Sequence, residues 1–388
     1  MLDDDVTFLN HGSFGACPVS IIERQRQYQV EMERHPIQFM MRRRPQLMDE
    51  SRQTLADFVG SRFEDLVFVN NATTAVNAVL MSLDLKPGDQ LLTTNHIYNA
   101  CLNAMQVAAE RSRAEVIVAE VPFPIGSPEK VVESVIKALT PRTRLVLLDH
   151  ITSPTAIIFP IEQLIAAIHE TDAEVLIDGA HAPGLLPLNL TALGAEYYTG
   201  NCHKWLCAPK GAGSLHVRED KQDGLYPTVI SHGLNKGRSD RSTMQELFDW
   251  VGTIDPTPWI CVRDSIEFLD GLMPGGWQAL ARRNHELALA ARKLLCQSLG
   301  QTAPAPDEML AAMATIRLPD DIGPERLDDS TAPSSVTELQ RRLFDEARIE
   351  VPVFPFPRPP RQWLRVSAQA YNTLDDYERL AQALGALV

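Results

Sequence analysis

Residues 173–184 read Ala173-Glu-Val-Leu-Ile-Asp178-Gly-Ala-His181-Ala-Pro-Gly184. This stretch predicts an apolar strand that ends in a carboxylate and runs directly into a glycine turn. Because ligands of open parallel sheets bind beyond the carboxyl ends of the strands, Asp178 lies where a cofactor would be expected. An aspartate at a strand end can equally cap the following helix, and this stretch alone leaves both interpretations open.

Short apolar runs rich in Val, Ile and Leu recur on both sides of that stretch and are typical of strands covered on both faces. Helical patterns lie between several of them, and such alternation favours right-handed crossovers and a mainly parallel sheet. We therefore predict an α/β fold. The predicted strands cover residues 66–70, 90–94, 115–119, 144–148 and 174–177, and the predicted helices cover residues 75–83, 101–111, 127–139, 161–170 and 276–299, with a last helix from near Thr373.

The composition excludes several classes of protein. The chain has 388 residues, 45% hydrophobic and 22% charged, as in an ordinary globular protein. Its 36 Lys and Arg against 50 Asp and Glu give a net charge of −14, which disfavours binding to nucleic acids and to anionic membranes. No uncharged apolar run reaches the ~18 residues of a membrane span, and the acidic start of the chain predicts a cytoplasmic protein. Six scattered cysteines indicate reduced thiols rather than a disulfide framework.

A second informative stretch covers residues 198–213 and contains Lys204 between a histidine and a tryptophan. A desolvated lysine amine has a lowered pKa and can form a Schiff base with an aldehyde. Pyridoxal phosphate (PLP) needs such a lysine, a carboxylate for its pyridinium nitrogen and donors for its phosphate. Residues 71–74, Asn-Ala-Thr-Thr, follow a predicted strand and open a helix, which is a common anion site.

Two other kinds of site fit these residues less well. Cys202 and Cys207 lie in the same stretch, but two thiols and one histidine at these spacings are not a zinc pattern, so we predict no metal site. A nicotinamide-dependent dehydrogenase is disfavoured because no G-x-G-x-x-G turn follows the first predicted strand.

Taken in order, the motifs of this chain resemble those of the class V aminotransferase group of fold-type I PLP enzymes, and within it the isopenicillin N epimerase-like proteins. Each motif alone is weakly specific, whereas the ordered set is strongly specific and covers nearly the whole chain. The matching stretches are Leu9-Asn-His-Gly-Ser-Phe-Gly15, Asn95-His-Ile-Tyr-Asn-Ala100, Ser153-Pro-Thr155, Asp178-Gly-Ala-His-Ala-Pro-Gly184, Thr199-Gly-Asn-Cys-His-Lys-Trp205, Gly252-Thr253, and Arg365-Val-Ser with Tyr371-Asn-Thr373.

The resemblance implies a large PLP-binding domain with a mainly parallel central sheet and a smaller α+β C-terminal domain. We expect an N-terminal arm at residues 1–20 that packs with the small domain, a large domain at residues 21–260 and a small domain at residues 261–388. It also implies a homodimer with shared active sites.

The resemblance assigns roles around the cofactor as well. Lys204 would bind the cofactor aldehyde and Asp178 would hold the pyridinium proton. The remaining predicted cofactor contacts are His181 at the ring hydroxyl, His96 stacked on the ring, Ala72, Thr73, Asn201 and His203 at the phosphate, and Thr253 at the phosphate bound by the partner subunit.

At the substrate, Arg365 would clamp the carboxylate and Asn10 would make a further contact. His96 or Tyr98 would supply an acid on the face of the ring opposite Lys204. Without the resemblance, Arg365 would also fit a strand-end ion pair, and Tyr98 a position in the core.

The expected function is a PLP-dependent reaction at the α-carbon of an amino acid or amino-acid-derived substrate. Epimerisation comes first because the loops match the epimerase-like proteins, and C–S (β-) lysis or transamination are the alternatives. A catalytically silent PLP-fold binding protein is the alternative of a different class. The presence of Lys204, Asp178 and Arg365 together argues against it.

The chain departs from its relatives at two places. Ala156 stands where relatives often carry glycine after Ser-Pro-Thr. Residues 351–364 contain no cysteine, whereas cysteine desulfurases keep their persulfide-forming cysteine in this loop. A desulfurase of that mechanism is therefore disfavoured.

Overall fold

The computed structural model describes residues 2–235, 241–319, 336–357 and 361–387. The strands are β1 (Thr7–Phe8), β2 (Leu66–Val69), β3 (Gln90–Thr94), β4 (Glu115–Ala119), β5 (Thr143–Asp149), β6 (Glu174–Gly179), β7 (Tyr197–Asn201), β8 (Gly213–Val217), β9 (Met313–Arg317), β10 (Ile349–Glu350), β11 (Val353–Pro355) and β12 (Gln362–Ser367).

The helices follow in the same chain order. They are α1 (His11–Phe14), α2 (Val19–Arg34), α3 (Pro36–Gln38), α4 (Arg44–Val59), α5 (Ala72–Ser82), α6 (Asn99–Ser112), α7 (Glu129–Ala138), α8 (Ile161–Ile168), α9 (Leu190–Leu193), α10 (Thr243–Asp249), α11 (Thr257–Gly271), α12 (Gly276–Ser298), α13 (Glu338–Ala347) and α14 (Leu374–Leu387). None of the described helices is long and apolar enough to cross a membrane.

Seven strands form the central sheet in the order β2-β8-β7-β6-β5-β3-β4. Strand β8 runs antiparallel to both of its neighbours, and the other strands run parallel to one another. The prediction of an α/β fold with a mainly parallel sheet is confirmed. The carboxyl ends of β5, β6 and β7 therefore meet at one edge, where this class of sheet binds ligands.

The sheet is covered on both faces, which explains its continuous apolar strands. Along β5, Val146 and Leu148 join a large core cluster with residues of α4, α7, α8 and α11. Leu145 and Leu147 point the other way and join a second cluster with residues of α5 and α6. This two-residue alternation fixes the register of the strand, because a one-residue slip would exchange the two sets.

Helix α5 begins at Ala72, three residues before the predicted start. The Asn71 side chain accepts a hydrogen bond from the Thr74 N–H at 2.9 Å and so caps the helix. The sequence pattern began the helix at residue 75, whereas the cap lets helical geometry begin directly after Asn71.

The C-terminal part of the chain has a sheet of its own. Strands β11, β12 and β9 pair antiparallel, and α12 packs against β9 and α14. Strand β1 pairs in parallel with β10, so Thr7–Phe8 contact the C-terminal part of the chain. The domain boundaries stay predictions, and the one at residue 260 falls inside α11, which packs against α2 and α4.

Candidate active site

A cavity of about 590 Å³ lies at the carboxyl edge of β5, β6 and β7, and we call it the cofactor cavity. It brings together most of the residues that the sequence singled out. The predicted residues that line it are Ala72, Thr73, Tyr98, Asp178, His181, Asn201, His203 and Lys204.

Lys204 lies in the loop after β7, and its Nζ is 3.1 Å from His181 Nε2. Burial, helped by the positive charge of Arg365, lowers the pKa of the Lys204 amine to about 8. At pH 7 about a tenth of this amine is therefore unprotonated, far more than for a lysine with its usual pKa, and the unprotonated form is the one that attacks an aldehyde.

His181 is held in one tautomer. The Trp205 indole N–H donates to His181 Nδ1 at 3.3 Å, so in the neutral ring the proton resides on Nε2. Burial lowers the pKa of His181 well below its usual range, with a further contribution from Lys204. The neutral ring therefore presents an N–H donor to Lys204 and to the interior of the cavity.

Asp178 lies near the end of β6, with its side chain almost fully buried. One carboxylate oxygen accepts from the Ala180 N–H at 2.9 Å, and the other accepts from the Cys101 thiol at 3.3 Å. Burial raises the pKa of Asp178, and the Ala180 N–H and the charge of Lys204 oppose that rise. This carboxylate is oriented by its neighbours and faces a cationic partner in the cavity.

Asp149 is a second buried carboxylate, and the sequence analysis missed it. It ends β5 directly opposite Asp178 in the sheet register and also lines the cofactor cavity. Burial and the nearby Asp178 charge raise the pKa of Asp149 well above its usual range. Its Oδ2 atom finds no hydrogen-bond partner among the described residues. The sequence did contain a signal for Asp149, because this aspartate, like Asp178, comes directly after a run of apolar strand residues.

The N-terminus of α5 forms another wall. Asn201 at the end of β7 accepts a hydrogen bond from the Ala72 N–H at 2.9 Å through its Oδ1. The same helix end lines the cavity with Thr73 and Thr74. An eleven-residue helix that points its N-terminus into a cavity favours an anion there.

Two basic side chains stand beside that helix end. His203 donates from Nδ1 to the Ala212 carbonyl at 2.8 Å, and burial lowers its pKa to about 4. Lys210, which the sequence analysis did not place in the site, lines the cavity and donates to the Gly15 carbonyl at 3.0 Å. A bound phosphate would favour protonation of His203 and would gain a second cation in Lys210.

A larger cavity of about 890 Å³ adjoins the first, and we call it the outer cavity. Arg365, on β12, lines it and is almost fully buried. Its guanidinium donates to the Ser153 carbonyl at 2.5 Å and to the Ser13 hydroxyl at 3.1 Å, while its Nε has no partner among the described residues. This buried, partly unpaired cation suits a carboxylate.

Asn10 lies beyond Arg365 in the outer cavity, where it accepts a hydrogen bond from the Ser13 hydroxyl at 2.5 Å. Its amide donates to Glu350 at 3.3 Å. Ser13 thus connects Asn10 to Arg365, and its place in the Leu9–Gly15 motif is the signal that would have found it.

The structure does not bring His96, predicted to stack on the cofactor ring, into the cofactor cavity, and its role stays a prediction. His96 is fully buried and lines neither cavity. Its ring nitrogens bond to the Thr155 hydroxyl at 2.6 Å and the Val121 carbonyl at 3.2 Å, and it packs against Phe123 and Phe356. This polar and aromatic shell holds the imidazole inside the wall of the outer cavity.

Tyr98, unlike His96, lines the cofactor cavity. It lies two residues further along the same loop, is 46% exposed, and lines both cavities. Burial, with the nearby Cys101 and Asp178, raises the pKa of its hydroxyl, so that the side chain keeps its proton. Thr253, the predicted contact to a partner subunit, is exposed and lines neither cavity.

Two glycines let the chain pass close to the lysine loop. Gly15 has φ +70°, and a Cβ there would lie 2.2 Å from the His203 carbonyl oxygen. Gly184 has φ +92°, and a Cβ there would lie 2.8 Å from the Trp205 carbonyl oxygen. The motifs at residues 9–15 and 178–184 each end in glycine because a side chain at that position would collide with the backbone of the lysine loop.

Comparisons with known proteins identify the family to which this geometry belongs. The family model described as aminotransferase class-V matches residues 16–327. The chain belongs to the class V aminotransferase family. It is 35% identical to an isopenicillin N epimerase of Amycolatopsis lactamdurans over all of this chain and 96% of that protein. It is 30% identical to a probable chloroplastic L-cysteine desulfhydrase of Arabidopsis thaliana over all of this chain and 84% of that protein.

A solved structure with the same fold supports the architecture. It is the complex between the cystine C-S lyase C-DES and its reaction product cysteine persulfide. Its TM-score is 0.80 over 98% of this chain and 97% of that chain, at 20% sequence identity. At this identity the likeness shows the fold alone.

This class V chain is a PLP enzyme, and its residues fit that cofactor. The fit rests on the pairing of a lysine amine with a lowered pKa and a buried, oriented carboxylate across one cavity. A helix N-terminus and two basic side chains supply the anion site on a third side. The individual roles of the lining residues stay predictions.

Proposed function

We propose that this enzyme inverts the configuration at the α-carbon of an amino acid or amino-acid-derived substrate. The observation that carries the proposal is that two proton-transferring side chains, the Lys204 amine and the Tyr98 hydroxyl, line the same cavity. Inversion needs two such groups, because one removes the α-proton and the other returns a proton to the opposite face.

Bound PLP would supply the electron sink that makes the α-proton acidic. Lys204 would hold the cofactor aldehyde and, once the substrate amine replaces it, would remove that proton. Its pKa of about 8 suits a base that works near neutral pH. Tyr98 keeps its proton because its pKa is raised, so it acts as the donor.

Other side chains would hold the reacting groups in place. Asp178 would bind the pyridinium nitrogen and His181 the ring hydroxyl, since its Nε2–H points toward Lys204. Arg365 would bind the substrate carboxylate through its guanidinium, which lines the outer cavity. These contacts orient the α-carbon between the two proton-transferring groups.

A C–S β-lyase is the second candidate. The relatives named L-cysteine desulfhydrase at 30% identity favour it, and the same base at Lys204 would serve both reactions. The lyase needs no acid on the opposite face, so the role of Tyr98 separates the two functions.

The test uses holoenzyme and a panel of L-amino acids in deuterated water, with chiral chromatography and assays for keto acid and ammonia. We expect the D-isomer with deuterium at Cα. Tyr98→Phe should lower D-isomer formation at least about 100-fold while the L-isomer still exchanges its α-proton through Lys204. Tyr226→Phe, at an exposed tyrosine outside both cavities, is the matched control.

Stoichiometric keto acid and ammonia without D-isomer would replace the epimerase proposal by the lyase. Keto acid with accumulation of the amine form of the cofactor would replace it by an aminotransferase. Unchanged inversion in Tyr98→Phe would remove Tyr98 from the mechanism.

The working unit in this proposal is a homodimer. Thr253 is exposed in the segment between α10 and α11, which leaves it accessible to a partner subunit. Light scattering at assay concentration should give twice the chain mass, and a fully active monomer would contradict the shared site.

A further inference from the structure

The outer cavity is continuous with the cofactor cavity. The two share Ser13, Phe14, Tyr98 and Ser153 as lining residues, and Arg365 stands in the outer one. A substrate whose carboxylate is bound at Arg365 therefore has open space beyond its α-carbon. At about 890 Å³ this space lies near the upper end of small-molecule pockets, which run to roughly 1,000 Å³.

The walls of this space are mainly apolar. One side comes from the loop after β3, from α6 and from β4, and the other comes from β11 and the residue after it. The side chains that form these walls are Ile97, Leu102, Val118, Val353, Phe354 and Phe356.

One wall is supported from behind by packed rings. The Phe356 ring lies 4.8 Å from the His96 ring and 5.8 Å from the Phe123 ring, centroid to centroid. The Phe356 carbonyl accepts a hydrogen bond from the Trp363 indole at 2.9 Å. His96 thus shapes the outer cavity from inside its wall, and the apolar surface is held in place before a ligand arrives.

The charges at this site do not favour a second acid on the substrate. Among the described residues that line the outer cavity, the cations are Arg365 and Arg341. The Arg341 guanidinium already bonds to Glu338 and to Asp345. Glu350 adds a further acid to the lining. Among the described lining residues, a second substrate carboxylate would meet these acids, and the one cation beside them, Arg341, is already paired.

We propose that the outer cavity binds the side chain of the substrate, and that this side chain is long, uncharged and largely apolar. The proposal rests on the proposed function, since it assumes that the α-carbon reacts between Lys204 and Tyr98. It adds a substrate class to that function, because a short amino acid such as cysteine would leave most of the outer cavity unfilled.

The experiment compares alanine, norleucine and glutamate as L-isomers with the holoenzyme, and follows α-proton exchange in deuterated water. Each methylene that the cavity removes from water should raise kcat/KM about fourfold, so norleucine, with three more methylenes, should exceed alanine about 60-fold. Glutamate should fall below norleucine because its second carboxylate faces Asp345 and Glu350.

A variant that fills the outer cavity tests whether this cavity causes the preference for norleucine. Leu102→Trp on α6 should lower kcat/KM for norleucine at least about tenfold and change that for alanine less than twofold. If Leu102→Trp does not fold, Val118→Trp provides the same test. Val118 is a half-exposed residue of the edge strand β4. Val107→Trp is the matched control, since Val107 is an exposed residue of α6 outside both cavities.

The outcomes separate this inference from the proposed function. Equal kcat/KM for alanine and norleucine, or a preference for glutamate, would overturn the side-chain proposal while inversion at the α-carbon still stands. Loss of alanine activity in Leu102→Trp with correct folding would also overturn it. Absence of α-proton exchange with every amino acid would overturn the proposed function itself.

Discussion

The cofactor cavity and the outer cavity have four lining residues in common, yet they are built in opposite ways. The cofactor cavity is lined mainly by charged and hydrogen-bonding residues, and three of them, Asp149, Asp178 and Asn201, lie at the ends of strands β5, β6 and β7. The outer cavity is mainly apolar, and its walls come from α1, α6, β11 and α13, which lie far apart in the chain. Groups that bind a cofactor are thus encoded locally, whereas the space for a substrate depends on how distant elements pack.

The largest expected effect comes from the lysine that defines the cofactor cavity. Lys204→Ala should abolish covalent attachment of PLP, because it removes the buried amine whose pKa is lowered to about 8. Mass spectrometry of the borohydride-reduced holoenzyme should show the pyridoxyl group on Lys204. An adduct on Lys210, which lines the same cavity, would transfer the role to that residue.

The next largest effects come from the two buried carboxylates, Asp178 and Asp149, and we expect their replacements to differ in the size of the effect. Asp178→Asn should slow α-proton exchange about 10³-fold, because it removes the charge expected to stabilise the pyridinium proton. Asp149→Asn should slow it less than about tenfold, because burial and Asp178 favour the protonated Asp149, which an asparagine resembles in shape and charge.

The visible spectrum of each bound cofactor reports its protonation independently of turnover. Equal losses in the two variants would mean that Asp149 carries charge that the reaction needs. Near wild-type exchange in Asp178→Asn would contradict the pyridinium contact.

Part of the fold and part of the site could be predicted from the sequence alone. The strands at residues 90–94 and 115–119 match β3 and β4 residue for residue, because short runs of strand-forming residues are local signals. Lys204, Asp178 and His181 follow from two motifs and meet in one cavity.

The remaining features of the site depend on tertiary contacts that cannot be recognised in the sequence. His96 and Tyr98 are two residues apart in one motif, and tertiary contacts decide which of them lines the cavity, because His96 bonds to Thr155 and packs against Phe356. Asp149 belongs to the site because β5 pairs in register with β6. The outer cavity has no motif of its own, since its walls come from separate elements.

Arg365 lines the outer cavity and donates to Ser13 and Ser153, which line both cavities, so its replacement tests whether the two cavities act as one site. Arg365→Gln should raise KM for an L-amino acid about 100-fold, because a buried hydrogen bond to a charged group is lost. Arg365→Lys should recover part of the loss, and an amine substrate without a carboxylate should be unaffected. An equal loss with that amine would mean that Arg365 acts on the fold through Ser13 and Ser153.

The titration of Lys204 gives a smaller, graded effect. The unprotonated amine is the form that captures the aldehyde, and its fraction rises tenfold per pH unit below a pKa of about 8. Capture of PLP by apoenzyme, followed by stopped-flow absorbance, should therefore accelerate up to about pH 8 and then level off. Acceleration that continues to pH 10 would show an amine with an ordinary lysine pKa.

The smallest effect concerns Ala156, where relatives often carry glycine. Ala156 has φ +57°, a left-handed conformation that costs an L-residue about 1–2 kcal/mol, and its methyl group is buried. Ala156→Gly relieves that strain, but it loses about 0.8 kcal/mol of apolar burial and about 0.4–1 kcal/mol through the more flexible unfolded chain. These contributions nearly cancel, so the free energy of unfolding should change by less than about 1 kcal/mol.

Ala182→Gly is the control for that cancellation, because Ala182 is equally buried and does not have a positive φ. With no strain to relieve, Ala182→Gly should lose about 1–2 kcal/mol. Denaturant titration of both variants measures the difference directly. If Ala156→Gly loses as much as Ala182→Gly, the strain at Ala156 is not present in solution. If it gains more than about 1 kcal/mol, the strain is larger than the contacts of the methyl group, and the loop after β5 has kept alanine at a cost to stability.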